Sequence, residues 1–326
     1  MKFKKLITII LLFVISLVMV GCKDSDKIQI GILQYVEHNA LSEARKGFIE
    51  GLKEAGYVDG DNIEIKILNP QADAVNLNLQ AKEIVRNSDL ILAIATTAAS
   101  AVVNEANEQN KDTPILFTAV TDPVAAKLIN SIDNPGGNVT GTNDKNPVED
   151  QIKLVKDLLP NATKLGIIYT ASETNSEVQA NLAKAEAARL GMSVEIKTIQ
   201  SVNDLRQVAN QLALNVDALY IPTDNVIASS MGIIKEIIEE HDVPAIVGES
   251  NMVDEGGSIT IGINYFTLGK DTAKMAVQIL KDKVSPKNIP STGMVKYEIV
   301  INKKQLTKIG VAVSDELLAK ADRVIN

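Results

Sequence analysis

The chain repeats itself, and a repeated strand–helix unit constrains the fold more than any single motif. "KIQIGILQYVEHNALSEARKGFIEGLKEAGY" is an apolar strand, a polar turn and a helix with apolar positions at Leu41, Ala44, Phe48, Ile49 and Leu52, closed by Gly56. "KLGIIYTASETNSEVQANLAKAEAARLGM" has the same form, and Gly31 to Gly56 and Gly166 to Gly191 are both 25 residues apart. A second pair follows, "SDLILAIATTAASAVVNEANEQNKDTPILFT" matching "VDALYIPTDNVIASSMGIIKEIIEEHDVPAIVG". Asp89 lies seven residues before Thr96, and Asp217 lies seven before Asp224. Two similar α/β units, roughly 27–142 and 143–265, are expected. Their strands are near-continuous apolar runs ("LILAIA", "ALYI", "AIVG"), which implies parallel sheets covered on both faces.

Between the units lies the turn-rich segment "DNPGGNVTGTNDKNP". "GGSITIGINYFTLG" and "VSPKNIPSTG" read as two further crossings, "MVKYEIVIN" as a late strand and "SDELLAKADRVI" as a final helix. Three crossings between two α/β lobes describe a hinged clamshell. The expected fold class is therefore α/β, two doubly wound parallel-sheet lobes joined by a three-crossing hinge. Lobe 1 takes 28–142 plus about 266–290, and lobe 2 takes 143–265 plus about 291–326.

The start of the chain reads as a targeting segment. "MKFKK" carries three lysines, and "LITIILLFVISLVMV" is 15 apolar or small residues, shorter than the roughly 20 of a membrane span. Residues 1–21 are expected to be a secretory signal, and Cys22, which follows Gly21, looks like the acylated cysteine of a bacterial lipobox, with Met19 where leucine is usual. Residues 22–27 would then tether the protein to the outer face of the cytoplasmic membrane. With its only cysteine lipidated, the chain has no thiol left for a disulfide or a metal. Loss of 1–21 removes three lysines and no acids, so net charge goes from -8 to -11, which argues against a nucleic-acid partner.

In open parallel sheets, ligands bind at the carboxyl ends of the strands, beside helix N-termini. The repeat gives two facing rows of such ends: "QYVEHNAL", "TTAAS" and "TAVTDP" in the first unit, "YTASETNS", "PTDN" and "GESN" in the second. Thr97 and Ser100 are placed to cap a helix beginning near Ala98 and to bind a small anion there. These loops hold no arginine, so a carboxylate fits better than a phosphate. The facing row is acidic and amide-rich, with Asn175, Asp224, Asn225 and Glu249, and the first unit adds Asp122. A carboxylate at a cleft needs a positive partner. No lysine is near Asp224 in sequence, which points to a ligand ammonium. An anion site and a cation site on opposing lobes describe an α-amino acid. Tyr35, Tyr169 and Tyr265 fall at or next to strand ends, where rings can wall an apolar or aromatic side chain, and His38 sits in the first of these loops. Each residue also has a plainer use: Asp224 as a helix cap, Glu249 as a solvated loop acid, each tyrosine as packing. No nucleophile–base motif is visible, and two histidines with no free cysteine make zinc a poor fit. No enzymatic activity, cofactor or metal is expected.

"VEHNALSEARKGFIEGL", "FTAVTDPVAA", "NPGGNVTGTND", "YTASETNS", "YIPTDN" and "INYFTLGKDTA", taken in that order, resemble the lipoprotein substrate-binding components of ABC transporters, in the branch associated with tryptophan and other aromatic amino acids. The resemblance runs from about Ile28 to Val313. It implies a type I periplasmic-binding fold, a ligand closed between two lobes, a membrane permease and an ATPase as partners, and a lipid-anchored monomer. It points to Thr97, Ser100, Asp122, Asn175, Ser176, Asp224 and Asn225 as ligand contacts. Asn39 and Ser42 stand where the family often has proline and aspartate. A sugar or nucleoside receptor of the same fold, or a surface adhesin or sensor, are the alternatives the residues leave open.

Overall fold

The computed structural model describes residues 27–326, so the expected signal segment, Cys22 and all of the tether but Lys27 lie outside the described residues. In chain order the strands are β1 (Ile28–Gln34), β2 (Ile63–Leu68), β3 (Leu90–Ile94), β4 (Ile115–Val120), β5 (Val139–Asn143), β6 (Lys164–Thr170), β7 (Ser193–Ile199), β8 (Ala218–Ile221), β9 (Ala245–Val247), β10 (Ile259–Gly262), β11 (Thr292–Gly293), β12 (Glu298–Asn302) and β13 (Arg323–Ile325). They form two sheets, ordered β2-β1-β3-β4-β5-β11 and β7-β6-β8-β9-β10-β12-β13. Strands β1–β5 and β6–β10 thus take the same order, and every pairing is parallel except β10 with β12. The chain is α/β, as its duplicated pattern requires.

The repeated aspartates explain part of that duplication. Asp89 accepts the N–H of Gln29 at 2.8 Å, and Asp217 accepts those of Thr163 and Lys164 at 2.6 and 2.9 Å. Each acid sits just before the second repeated strand and fastens the start of the first. These backbone bonds hold the Asp217 carboxyl below its ordinary value.

Strands β3, β4, β8 and β9 are buried along their whole length, because helices cover both faces. In the first lobe, helix Asn39–Glu54 lies directly on helix Tyr265–Leu280, with Gly47 against the Phe266 carbonyl and Gly269 against that of Ala44. A Cβ at either glycine would fall 2.0 Å from the facing oxygen, so only glycine allows this approach.

Two expectations at the C-terminal end need correction. Thr292–Gly293 pairs with β5, so the chain stays with the first sheet beyond the expected boundary near 291. The final helix covers only Asp315–Lys320, and Arg323–Ile325 is a strand beside β12, where the chain finds an open sheet edge.

Candidate binding cleft

The carboxyl ends of β1, β3 and β4 face those of β6, β8 and β9. On the first lobe the helix ends are bare. Helix Asn39–Glu54 begins after His38 and helix Thr96–Glu108 after Ala95, neither with a side-chain cap. The first N–H groups of an uncapped helix are unsatisfied and carry the positive end of its dipole. The expected capping by Thr97 and Ser100 does not occur, because the helix opens earlier, at Thr96, and both side chains lie within its first turns. Thr96 is buried and its hydroxyl has no partner. Ala95 holds φ 82° and ψ 153°, a region open essentially only to glycine, at a cost of about 1–3 kcal/mol.

On the second lobe the helix starts after β8 and β9 are filled by the buried acids Asp224 and Glu249, while helix Thr174–Arg189 begins after Glu173 without a side-chain cap. Asp224 Oδ1 accepts from Ile227 N at 2.9 Å and from the Thr170 hydroxyl at 2.8 Å, and Oδ2 accepts from Thr170 N at 2.6 Å. Glu173 Oε2 accepts from Asn225 N, Asn225 Nδ2 and Asn175 Nδ2, and Oε1 from Val226 N at 2.9 Å. Glu249 accepts from Asn251 N at 2.6 Å and Met252 N at 3.0 Å. Burial pushes all three carboxyls up, Glu249 to about 8, and the Asp224 charge pushes Glu173 further. Asp224, expected to hold a ligand ammonium, is therefore already committed to the backbone. Glu249 is a buried helix cap rather than a solvated loop acid.

A cavity of about 10 Å³, room for about one water, remains between the lobes. His38, Asn175, Asp224, Asn225, Glu249 and Tyr265 line it, and no lysine or arginine does. Asp144, which lies in the first crossing after β5, lines it as well. It is 3 % exposed; its Oδ2 accepts the Tyr265 hydroxyl at 2.7 Å, while its Oδ1 has no partner. Asn175 Oδ1 is also buried and unpartnered. Asn175 borders a second space of about 50 Å³ whose walls include Thr96 and Asp122. Asp122 Oδ1 is held by Val124 N and Ala125 N in its own turn.

Three side-chain bonds close the cleft across the lobes: His38 Nε2 with Asn225 Oδ1 at 3.2 Å, Asn39 Nδ2 with Glu255 Oε1 at 2.6 Å, and Gln179 Nε2 with Thr121 Oγ1 at 3.3 Å. Glu173 takes the Asn225 amide protons, so the amide oxygen faces His38 and the imidazole donates from Nε2. His38 is half-buried, and the loss of water around its ring lowers its pKa to about 4.

Of the residues singled out in the sequence, the structure brings His38, Asn175, Asp224, Asn225, Glu249 and Tyr265 to the cavity, and Asp122 to its neighbour. Tyr35, Thr97, Ser100, Tyr169 and Ser176 line neither. Sequence reasoning missed Asp144, Glu173, Thr96, Thr121 and Thr223. Asp144 sits in "TNDKNP", which reads as a turn; the signal was its place in a crossing, since a hinge passes beneath its own cleft.

Residues 29–325 match the ABC transporter substrate binding protein family. A "Tyrosine-binding protein" of Clostridioides difficile (strain R20291) is 38% identical, the alignment covering 94% of this chain and 92% of that one. Among solved structures, an ABC domain in complex with L-Trp from Streptococcus pneumonia is 34% identical over 92% of this chain and 100% of that chain, with a TM-score of 0.87. A ligand-free, open substrate binding protein with adhesive properties from Clostridium difficile is 38% identical over 91% and 99%, with a TM-score of 0.67. The lobes thus overlap better with the L-Trp complex than with the open form, although the open form is nearer in sequence. The chain belongs to the ABC transporter substrate-binding protein family, whose members are solute receptors of extracytoplasmic location and not a class of enzyme.

Proposed function

We propose that this receptor captures an α-amino acid with an aromatic or large apolar side chain and delivers it to an ABC importer. The observation that carries the reading is the free Oδ1 of Asp144, a buried carboxylate oxygen beside the similarly free Asn175 Oδ1. A buried charge without a partner costs several kcal/mol, which a ligand ammonium would relieve. The ligand carboxylate lies at the bare start of helix Thr96–Glu108, where the Thr96 hydroxyl and unbonded N–H groups await an anion. Leu41, Ala119, Ala228 and Met252 supply apolar wall for the side chain. Burying such a side chain contributes roughly 1.5–3 kcal/mol. The tyrosine-binding relative and the L-Trp complex support this ligand class.

No bond is made or broken. A cavity of about 10 Å³ cannot hold an aromatic side chain, so the lobes part to admit the ligand and close on it. Contacts offered only by the closed form shift the population toward it. The protein acts as a monomer anchored through lipid on Cys22, with a permease and an ATPase as partners, and has no catalytic role. No helix among the described residues is long and apolar enough to cross a membrane.

A thermal-shift panel of tyrosine, phenylalanine and tryptophan beside ribose, myo-inositol and adenosine tests the reading. Stabilisation by one or more of the amino acids alone is expected. Stabilisation by a sugar or nucleoside with none by amino acids would replace it with a carbohydrate or nucleoside receptor.

A further inference from the structure

Tyr265 stands at a strand-end crossing, where a ring could wall a ligand, but the structure gives its hydroxyl another use. The residue is 3 % exposed and is the first of helix Tyr265–Leu280, whose start is fixed by Asn264 accepting from Thr267 N at 2.9 Å. That helix is locked against helix Asn39–Glu54 through Gly47 and Gly269, so the phenol has little freedom. Its hydroxyl donates to Asp144 Oδ2 at 2.7 Å, leaving Oδ1 as the open acceptor. Burial, reinforced by the charges of Asp144 and Glu249, pushes the phenol pKa well up, so the hydroxyl remains a donor. The bond also joins two crossings, Asp144 in the first and Tyr265 at the end of the second. The segment between β11 and β12 is tied to the same point, because the Tyr297 hydroxyl donates to the Lys145 carbonyl at 3.1 Å.

We infer that Tyr265 is a positioning residue: it holds Asp144 with one oxygen turned to the cleft for a ligand ammonium, and so fixes the acceptor to the hinge. The inference rests on the amino-acid reading of the cleft and assigns within it a residue that need not touch the ligand. Burial raises the Asp144 carboxyl, and the hydrogen bond from Tyr265, with a smaller contribution from the Thr121 hydroxyl, works against that rise.

The test is calorimetry of the full-length chain, in detergent, with L-tyrosine, from neutral to mildly acidic pH, on the unaltered protein, Tyr265→Phe, Asp144→Asn and the double variant. Tyr265→Phe keeps the ring volume and removes only the donor. It should weaken binding roughly ten- to hundredfold, the worth of a hydrogen bond to a charged group. It should also move the loss of affinity on the acid side to higher pH, because Asp144 takes a proton more readily without its donor. The double variant should bind no more weakly than Asp144→Asn. His38, Glu249 and Asp224, which also line the cavity, titrate in every variant and cancel from the comparison. Unchanged affinity in Tyr265→Phe, an unmoved acid limb, or a full additional loss in the double variant would overturn the role of Tyr265 while Asp144→Asn still weakened binding. Unaltered affinity in Asp144→Asn would instead sink the ammonium site and the role of Tyr265 with it.

Discussion

Thr96 and Asp224 occupy the same place in the two repeats, each seven residues after the aspartate that fastens its lobe's first strand. In lobe 2, Asp224 closes its own helix start and ties β8 to Thr170. In lobe 1, the residue facing the helix start is a threonine with an idle hydroxyl, behind an alanine in a glycine conformation. Tyr35, the counterpart of Thr170, takes its bond from the β3 backbone instead, donating to the Ile94 carbonyl at 3.3 Å. The frame is shared, and the helix ends are put to opposite uses. Asp224 is used up internally; the start of helix Thr96–Glu108 keeps bare N–H groups for something from outside. A duplicated fold can therefore be rigid on one face of its cleft and receptive on the other.

The largest test of that contrast is Asp224→Ala. It strips a buried cap and two bonds to Thr170, and should destabilise the protein by about 3 kcal/mol, read as a lowered denaturant midpoint. A loss of ligand affinity with stability intact would mean that Asp224 serves the ligand after all. Next in size is the seam between the lobes. His38 in the closed form has its pKa lowered from 6.5 to about 4 by burial, so the neutral imidazole is favoured there. Closure is at full strength above pH 6.5 and weakens as pH falls toward 4. Ligand affinity should then drop by up to about tenfold per pH unit across that window. His38→Gln should flatten this limb.

Smaller effects belong to the bare end. Thr96→Val keeps the shape and removes a hydroxyl that bonds nothing in the protein, so stability should change by less than about 1 kcal/mol. Affinity for an amino acid should fall roughly tenfold, as when one neutral donor is lost. Smallest is Ala95→Gly, which relieves the positive φ and should raise stability by about 1 kcal/mol in chemical denaturation. No gain would mean the strain is not there.

The architecture was legible because duplication leaves two copies of each spacing, and the strands are long apolar runs. The candidate site was legible only as a region. Which loops meet follows from strand ends, but which oxygens stay free depends on hydrogen bonds among residues far apart in sequence. Asp224 looked available because no lysine lies near it, and its partners proved to be backbone N–H groups. Glu173 was passed over although it lies next to "TNS", because nothing local shows that it reaches Asn225 and Val226. Asp144 was hidden in a crossing read for its turns. The last strand was taken for helix because two apolar residues, Val324 and Ile325, fit either period.

The central claim is that the cleft binds a zwitterion, ammonium on Asp144 and carboxylate at the start of helix Thr96–Glu108. Calorimetry of the chain with L-tyrosine, with tyramine, which lacks the carboxylate, and with 3-(4-hydroxyphenyl)propionate, which lacks the amine, measures this directly. The account predicts that tyrosine binds and that both truncated ligands lose at least about tenfold, the worth of a charged contact. Binding of either analogue as tightly as tyrosine would contradict it.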